Sequence, residues 1–187
     1  LDVLVRSAVK SGKLNASQTP QEADIFIIAV PTPFKENHAP DLSYVQDAAT
    51  TLAKFVRPGN LVILESTSPV GTTEKVGEWI TAARPDLSIS VRAGKARSGG
   101  QSVLLAHCPE RVLPGQILKE LVDNDRIVGG IDQASTTAAV SFYQQYLIFP
   151  NYYTNRGQAY GWVMNPIFAV CTNFSLYFFF GQHRQPT

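Results

Sequence analysis

The sequence predicts an α/β protein built on a partial, doubly wound parallel sheet with helices on both faces. Apolar runs such as residues 25–30 and 61–64 contain no polar residue, which is typical of strands buried on both faces of a parallel sheet. Longer stretches between them carry apolar residues at helical spacing, so strands and helices alternate. The runs lead into polar segments rich in proline and glycine, and such sheets bind ligands at the carboxyl ends of their strands.

The first helix and the first strand are predicted before Pro31. Residues 1–14 place apolar side chains at helical spacing, and Gly12 closes this helix. We expect it to pack on the sheet without a role in a site. Residues 23–30 are predicted as a buried strand, which Pro31 and Pro33 stop because proline fixes φ and has no N–H to donate.

The same pattern then repeats. Asp41 is the predicted N-cap of a second helix, whose apolar face extends to Val56 and which an Arg-Pro-Gly triplet ends. Residues 61–64 form the second strand. Gly71 leads into a third helix, which halts at an Arg-Pro pair because the residue before proline disfavours helical geometry.

The following part of the chain is predicted to add two strands and two helices. Residues 103–106 and 126–130 are the third and fourth strands, residues 116–122 are a short helix, and residues 134–147 are a longer one. Residues 1–147 therefore form one incomplete domain, with right-handed crossovers between parallel strands.

Composition narrows the class of function. The formal net charge of the 187 residues is +1, which argues against a protein that binds nucleic acid. The two cysteines, Cys108 and Cys171, make neither a disulfide framework nor a CxxC pair, so we expect no metal site and a reducing, cytoplasmic setting. The N-terminus has neither Met nor the residue order of a signal peptide, and we expect the chain to be a fragment.

The composition changes after residue 147. No charged residue occurs from Gly157 to Gln182, although a folded domain needs charge over its whole surface. We interpret residues 148–187 as a tail outside the domain, produced by a reading-frame error or truncation. A compensated frameshift would explain residues 88–101, where basic residues stand among Gly and Ser without a nearby acid.

Polar segments at the predicted strand ends contain the candidate site residues. In residues 30–34 the prolines hold Thr32 on a stiff loop, where its hydroxyl would bind a ribose or phosphate or would only satisfy the loop backbone. Residues 65–73 bring hydroxyls to the start of a helix, where anion binding and ordinary N-capping by Thr72 or Thr73 are both open.

The third segment, residues 108–115, sets a carboxylate beside a guanidinium before a Pro-Gly turn. Glu110 is suited to general acid or base catalysis, and Arg111 to bidentate binding of a phosphate. A solvated ion pair between these two side chains is the alternative. His107 precedes the segment, but a lone histidine is more often structural.

Together these segments resemble those of the UDP-glucose/GDP-mannose dehydrogenase family. Its nucleotide-binding domain carries a proline-flanked threonine, an E/K-S-T-x-P-V-G-T segment and an x-P-E segment, which match residues 30–34, 65–72 and 108–110. Residues 108–115 and 124–130 resemble the branch that oxidises UDP-N-acetylhexosamines. The resemblance extends over residues 1–147, apart from about 88–101, and implies a Rossmann-like fold.

The resemblance also implies an activity and roles for individual residues. The reaction would be an NAD-dependent, two-step oxidation of a sugar C6 alcohol to a carboxylate through a cysteine-bound thioester. Thr32 and Thr67 would contact NAD, with Thr67 also close to the chemistry. Glu110 would assist hydrolysis, and Arg111 and Val112 would line the site for the UDP-N-acetylhexosamine substrate.

Some features of the family have no counterpart in this sequence. There is no GxGxxG, so the βαβ unit that holds the NAD pyrophosphate is expected to be missing. Neither cysteine matches the family's Gly-Gly-His-Cys nucleophile, and Gly115 stands where other branches have a second acid. We therefore expect the chain to be inactive alone. Full-length family members form homo-oligomers through a helical region that is not recognisable here.

Two readings of another class remain open. One is a non-catalytic domain that binds nucleotides or a partner protein. The other is a membrane-attached protein, because residues 163–180 are uncharged and almost long enough to span a bilayer. Asn165 and Pro166 lower the hydrophobicity of that stretch, and no membrane partner is expected.

Overall fold

A computed structural model of the chain describes residues 2–36, 38–89, 102–109 and 126–146, and the strands 152–155, 159–163 and 176–179. Its elements follow in the order α1 (Asp2–Lys10), β1 (Ile25–Ile28), α2 (Ser43–Leu52), β2 (Leu61–Leu64), α3 (Thr72–Ala83), β3 (Leu104–His107), β4 (Arg126–Gly130), α4 (Gln133–Tyr146), β5 (Tyr152–Asn155), β6 (Ala159–Val163) and β7 (Leu176–Phe179). The short helix predicted at 116–122 lies outside the described residues.

The strands form one sheet in the order β5-β6-β4-β3-β2-β1-β7. Strands β1, β2 and β3 run parallel, and Ile28, Leu64 and His107 pair at the same level. The three strands therefore end together, as the apolar runs predicted. Strand β7 pairs with β1 in parallel, and β6 pairs with β4 and β5 in antiparallel fashion.

Strand β4 departs from the predicted parallel order. It runs antiparallel to β3, with Ala106 opposite Gly130 and His107 opposite Gly129. The prediction placed β4 at 126–130, and the structure confirms those bounds. The predicted direction of β4 was wrong, because an apolar run has the same sequence pattern whether the strand is parallel or antiparallel to its neighbour. Residues 126–128 consequently extend past the carboxyl end of β3.

Helices cover both faces of the sheet, as predicted. On one face, side chains such as Phe26 and Leu64 pack against α2 and α3 in a core that includes Leu52 and Ile80. On the opposite face, Ile63 and its neighbours pack against α4. Alternate residues of β1 and β2 contribute to different cores, so these two strands are apolar throughout.

Two helices differ in detail from their predictions. Helix α2 begins at Ser43 with Leu42 at the N-cap, so the predicted N-cap, Asp41, lies one residue too early. The Asp41 carboxylate nevertheless accepts a 3.0 Å hydrogen bond from the Ser43 N–H. This contact lowers the pKa of Asp41. Helix α1 has the predicted bounds to within a turn, but none of its residues is buried, so the expectation that it packs on the sheet was wrong.

The junction of β4 and α4 is unusually close. The Gly130 N–H donates a 3.1 Å hydrogen bond to Thr136 Oγ1, and a Cβ at Gly130 would lie 2.2 Å from the Thr136 nitrogen. At the start of α4, the Asp132 carboxylate accepts a 2.7 Å hydrogen bond from the Ser135 N–H. Only glycine permits this approach of strand and helix.

Among the described residues, no helix is both long enough and apolar enough to cross a bilayer.

Candidate functional site

The candidate site lies at the carboxyl edge of β1, β2 and β3. Because Ile28, Leu64 and His107 are aligned in the sheet, the segments that follow these strands begin side by side. Backbone hydrogen bonds continue the alignment past the strands, from the Glu65 N–H to Ile28 O at 2.9 Å and from the Cys108 N–H to Leu64 O at 3.0 Å. The predicted clustering of the segments is thus explained by the register of the sheet.

Ser66 joins the loops after β1 and β2. Its buried hydroxyl accepts a 2.8 Å hydrogen bond from the Val30 N–H and donates one of 2.7 Å to Val30 O. One side chain thereby satisfies both main-chain polar groups of Val30, in the way that a neighbouring strand would. The distance between the two loops is fixed at this point.

Thr32 and Thr67, the two predicted NAD contacts, lie together. The Thr32 hydroxyl donates a 2.7 Å hydrogen bond to the main-chain oxygen of Thr67. The Thr32 side chain is half-buried and Thr67 is exposed. Since the hydroxyl hydrogen of Thr32 is engaged, its oxygen remains only as an acceptor for a ligand. These hydroxyls therefore form a polar rim at the carboxyl edge.

Helix α3 starts at this rim without a side-chain cap. Gly71 is the N-cap residue and has a φ of 89°, a left-handed conformation that favours glycine. The Thr72 hydroxyl donates to Pro69 O at 2.7 Å. N-capping by Thr72 or Thr73, one of the two sequence-based interpretations, is therefore wrong for this helix.

His107, the last residue of β3, has a structural contact. Its Nδ1 lies 2.8 Å from Leu64 O. A carbonyl oxygen only accepts, so Nδ1 carries the hydrogen. Burial lowers the pKa of His107 below its usual value, against smaller opposing effects of the Leu64 contact and of Glu74. The side chain is thus a neutral imidazole near neutral pH, in agreement with the structural interpretation.

A cluster of four polar side chains lies beside these loops, and we call it the polar cluster: Glu65, Cys108, Arg126 and Tyr143. The Tyr143 hydroxyl donates a 2.5 Å hydrogen bond to Glu65 Oε1. Arg126 Nη1 lies 4.0 Å from the same oxygen, and the guanidinium carbon lies 5.2 Å from the centre of the Tyr143 ring. The Arg126 and Glu65 side chains are 13% and 14% exposed. The polar cluster is therefore largely shielded from water.

The polar cluster sets the protonation of its members. Burial, more than the nearby Glu65 charge, raises the pKa of the Cys108 thiol to about 11. Burial, with Cys108 and Glu65 adding to it, also raises the pKa of Tyr143 well above its usual value. Both groups keep their protons at neutral pH, and Cys108 is not a reactive thiol.

Sequence reasoning missed Ser66, Arg126 and Tyr143 as individual site residues. Tyr143 fits the apolar face of its helix, and it lies 78 positions from its partner Glu65. Arg126 is the first residue of an otherwise apolar strand, and this charged residue at a strand end could have been recognised in the sequence as a candidate site residue. Ser66 gave none, because serine is common in loops.

Three predicted site residues, Glu110, Arg111 and Val112, lie outside the described residues and stay predictions. Within the described ranges, no group of three or more His, Cys, Asp or Glu side chains is placed to hold a metal ion.

The sequence matches one protein family over most of its length. Residues 1–147 match the NAD binding domain of the UDP-glucose/GDP-mannose dehydrogenase family. A UDP-N-acetyl-D-mannosamine dehydrogenase of Campylobacter jejuni is 52% identical over 145 residues, which are 77% of this chain and 35% of that protein. An NDP-N-acetyl-D-galactosaminuronic acid dehydrogenase of Ralstonia nicotianae is 50% identical over 147 residues, 79% of this chain and 34% of that protein.

Solved structures with a similar fold come from the same group of enzymes. The UDP-D-ManNAc dehydrogenase of Pyrococcus horikoshii aligns with a TM-score of 0.64 and 37% identity, covering 74% of this chain and 31% of that one. The UDP-N-acetyl-mannosamine dehydrogenase of Staphylococcus aureus aligns with a TM-score of 0.63 and 38% identity, with coverage of 74% and 31%. The predicted Rossmann-like α/β class is confirmed. The chain spans about a third of the length of these relatives.

Proposed function

Because the chain belongs to the UDP-glucose/GDP-mannose dehydrogenase family, we propose that it is part of an NAD-dependent nucleotide-sugar 6-dehydrogenase. The substrate would be UDP-N-acetyl-D-mannosamine and the product UDP-N-acetyl-D-mannosaminuronate, after two hydride transfers. The observation that carries the proposal is the meeting of Thr32 and Thr67 at the carboxyl edge, in segments that match the family pattern. The 52% identity to the Campylobacter jejuni enzyme and the 50% identity to the Ralstonia nicotianae enzyme support a nucleotide-linked N-acetylhexosamine, and within that class we propose UDP-N-acetyl-D-mannosamine.

The carboxyl edge fits NAD. Thr32 offers an acceptor and Thr67 an exposed hydroxyl, and Ser66 keeps their loops at a fixed spacing. The start of α3 adds main-chain N–H groups without a side-chain cap, which suits a polar ligand. NAD, when bound, supplies the acceptor for hydride. The role of these protein residues is to hold and orient it.

The residues that we assign to the substrate are proposed from their positions in the sequence motif that matches the family. Arg111 would bind the diphosphate of the nucleotide sugar through its planar guanidinium. Glu110 would assist the hydrolysis that ends the reaction, and Val112 would line the same site. All three follow Cys108, whose main chain continues the β2–β3 ladder.

We also propose that turnover requires protein outside this sequence. The sequence contains no GxGxxG segment, and neither cysteine lies in a Gly-Gly-His-Cys setting. Cys108 is buried and its pKa is raised to about 11, so it does not suit the role of nucleophile. The complete enzyme would work in the cytoplasm as a homo-oligomer.

The test is an assay of NADH production with UDP-N-acetylmannosamine, UDP-N-acetylglucosamine and UDP-glucose in parallel. The chain is compared with the longer protein encoded at its genomic locus. We expect turnover of UDP-N-acetylmannosamine by the longer protein alone. Turnover by the chain itself would contradict the need for further residues, and preference of the longer protein for UDP-glucose would contradict the choice of sugar.

A non-catalytic nucleotide-binding domain is the second candidate, since the sequence contains neither a GxGxxG segment nor a cysteine in a Gly-Gly-His-Cys setting. Nucleotide-sugar binding by the longer protein without any NADH formation would support it. Calorimetry with UDP-N-acetylmannosamine, run beside the assay, separates the two functions.

A further inference from the structure

The polar cluster connects elements that sequence places far apart. Glu65 directly follows β2, Arg126 opens β4, and Tyr143 lies in the last turns of α4. Their side chains meet around one carboxylate oxygen, Glu65 Oε1. Cys108, directly after β3, is fully buried beside these three side chains. The polar cluster is therefore a junction between the sheet edge and α4.

The hydrogen bond between Tyr143 and Glu65 has a defined direction. An ionised carboxylate only accepts, so the Tyr143 O–H points to Glu65. Arg126 has only donors and lies against both the carboxylate and the ring. Glu65, Arg126 and Tyr143 therefore complement one another in charge and in hydrogen-bonding character.

Stability alone is a weak reason for such a cluster. A largely buried ion pair contributes little net free energy, because desolvation of both charges offsets their attraction. The cluster stands within an apolar core of Ile63, Ala106, Val128 and Phe142, where apolar side chains would pack as well. Its position next to the site loops offers a second reason.

Glu65 directly precedes the residues that shape the rim. Ser66 fixes the spacing of the two loops, and Thr67 O accepts the hydrogen bond from Thr32. A displacement of Glu65 would move both residues, because they follow it on one short segment. On the other side, Cys108 leads directly into the segment that contains Glu110.

We propose that Tyr143 is a positioning residue, which with Arg126 holds Glu65 so that Ser66 and Thr67 keep their places at the carboxyl edge. The Tyr143 hydroxyl bonds to Glu65, so its effect on the two threonines that we assign to NAD is indirect. Its relevance to catalysis rests on the proposed function, whereas its effect on the loop does not.

The test uses Tyr143→Phe, which removes one oxygen and keeps the ring. Tyr44→Phe is the matched control, since Tyr44 is a half-buried tyrosine packed in the core on the opposite face of the sheet. Glu65→Gln is the second variant, in case Tyr143→Phe does not fold; it keeps an acceptor for the tyrosine and removes the charge. Amide hydrogen exchange by NMR reports on Val30, Ser66 and Cys108, whose N–H groups are hydrogen bonded at the edge.

We expect Tyr143→Phe to raise exchange at these three amides about tenfold, the scale of one hydrogen bond to a charged group, and Glu65→Gln to raise it less. In Tyr143→Phe, the exchange rates of core amides such as those of Ile63 and Leu105 should stay within twofold of their rates in Tyr44→Phe. Equal exchange in Tyr143→Phe and Tyr44→Phe, or a uniform increase over the whole sheet, would overturn the proposal.

A parallel titration with UDP-N-acetylmannosamine and NAD, on the longer protein, separates this inference from the proposed function. We expect Tyr143→Phe to raise the KM for NAD several-fold, with a smaller change in kcat, while Tyr44→Phe changes neither. A wild-type protein that binds neither compound would contradict the proposed function, and the exchange pattern would still decide the role of Tyr143. An unchanged KM for NAD beside altered exchange would overturn the relevance of Tyr143 to catalysis, while its effect on the loop would stand.

Discussion

The hydroxyl of Thr32 donates a hydrogen bond to the main-chain oxygen of Thr67, 35 positions further along the chain. The bond ties the loop after β1 to the loop after β2 at the carboxyl edge of the sheet. Two residues that the sequence marked separately thus form one rim, and several measurable consequences follow from the contacts around it.

Thr32→Val should weaken NAD binding and leave the fold intact. The substitution keeps the shape of the side chain and removes the hydroxyl that joins the loops. We expect the KM for NAD of the longer protein to rise roughly tenfold, the effect of one lost hydrogen bond at the upper end of its range. Thr81→Val is the control, because that hydroxyl donates within α3 to Gly77 O. An equal effect of both variants would contradict a specific role of Thr32.

Ser66→Ala should destabilise the chain. Its hydroxyl serves both the N–H and the C=O of Val30 in a buried setting, and the alanine would leave these groups without a partner. We expect a loss of about 2 kcal/mol in the free energy of unfolding. Urea denaturation measures it, with Thr50→Ala on the exposed face of α2 as the control. A loss no larger than that of the control would show that the loops are held by other contacts.

Gly130→Ala should be among the most damaging single-methyl changes. The new Cβ would lie 2.2 Å from the Thr136 nitrogen, so β4 and α4 would have to separate. We expect a loss of roughly 2–3 kcal/mol, as for overpacked cores. Gly12→Asn is the control: Gly12 has a φ of 71° and open space around it, and asparagine tolerates that conformation. Thermal unfolding of both variants gives the comparison, and similar midpoints would contradict the close junction.

Cys108 should react slowly with thiol reagents. With its pKa raised from 9.0 to about 11, the thiol is mostly protonated at pH 8. The thiolate fraction falls about a hundredfold, and burial lowers access further. In a Cys171→Ser background, the rate of reaction with DTNB should therefore be at least about a hundredfold higher for the urea-unfolded chain than for the folded chain. Fast labelling of the folded chain would show that Cys108 is accessible.

Stability should fall below pH 6.5 because of His107. Burial lowers the folded pKa of this imidazole below its usual value of 6.5, so the unfolded chain takes up the proton first as pH falls. The contribution of His107 to the free energy of unfolding is complete above pH 6.5, and it is lost as the pH falls from there toward the pKa of the folded state. Urea midpoints between pH 7.5 and 5 measure it. His107→Gln should flatten the profile, and an unchanged profile in this variant would contradict the assignment to His107.

The strands were predictable because their physical cause is local. An apolar run such as Ile25–Ile28 must be buried on both faces, and this places it inside a sheet covered by helices. The alignment of the strand ends then follows from parallel pairing. Thr32 and Thr67 were found for the same reason, since both directly follow such runs.

The direction of β4 and the polar cluster were not predictable, because their causes are not local. The bond from Tyr143 to Glu65 depends on how α4 packs on the sheet, and the spacing of residues along α4 is the same for a core tyrosine. Likewise, Asp41 was misplaced by one residue because several positions near a helix start suit an acidic side chain.

The reversed direction of β4 has a consequence for how such a protein can diversify. Strand β3 ends at His107 and β4 begins at Arg126, and because the two strands are antiparallel neighbours, both points lie at the same edge of the sheet. A change in the length of the connection between these two points can therefore leave the pairing of β3 with β4 unchanged.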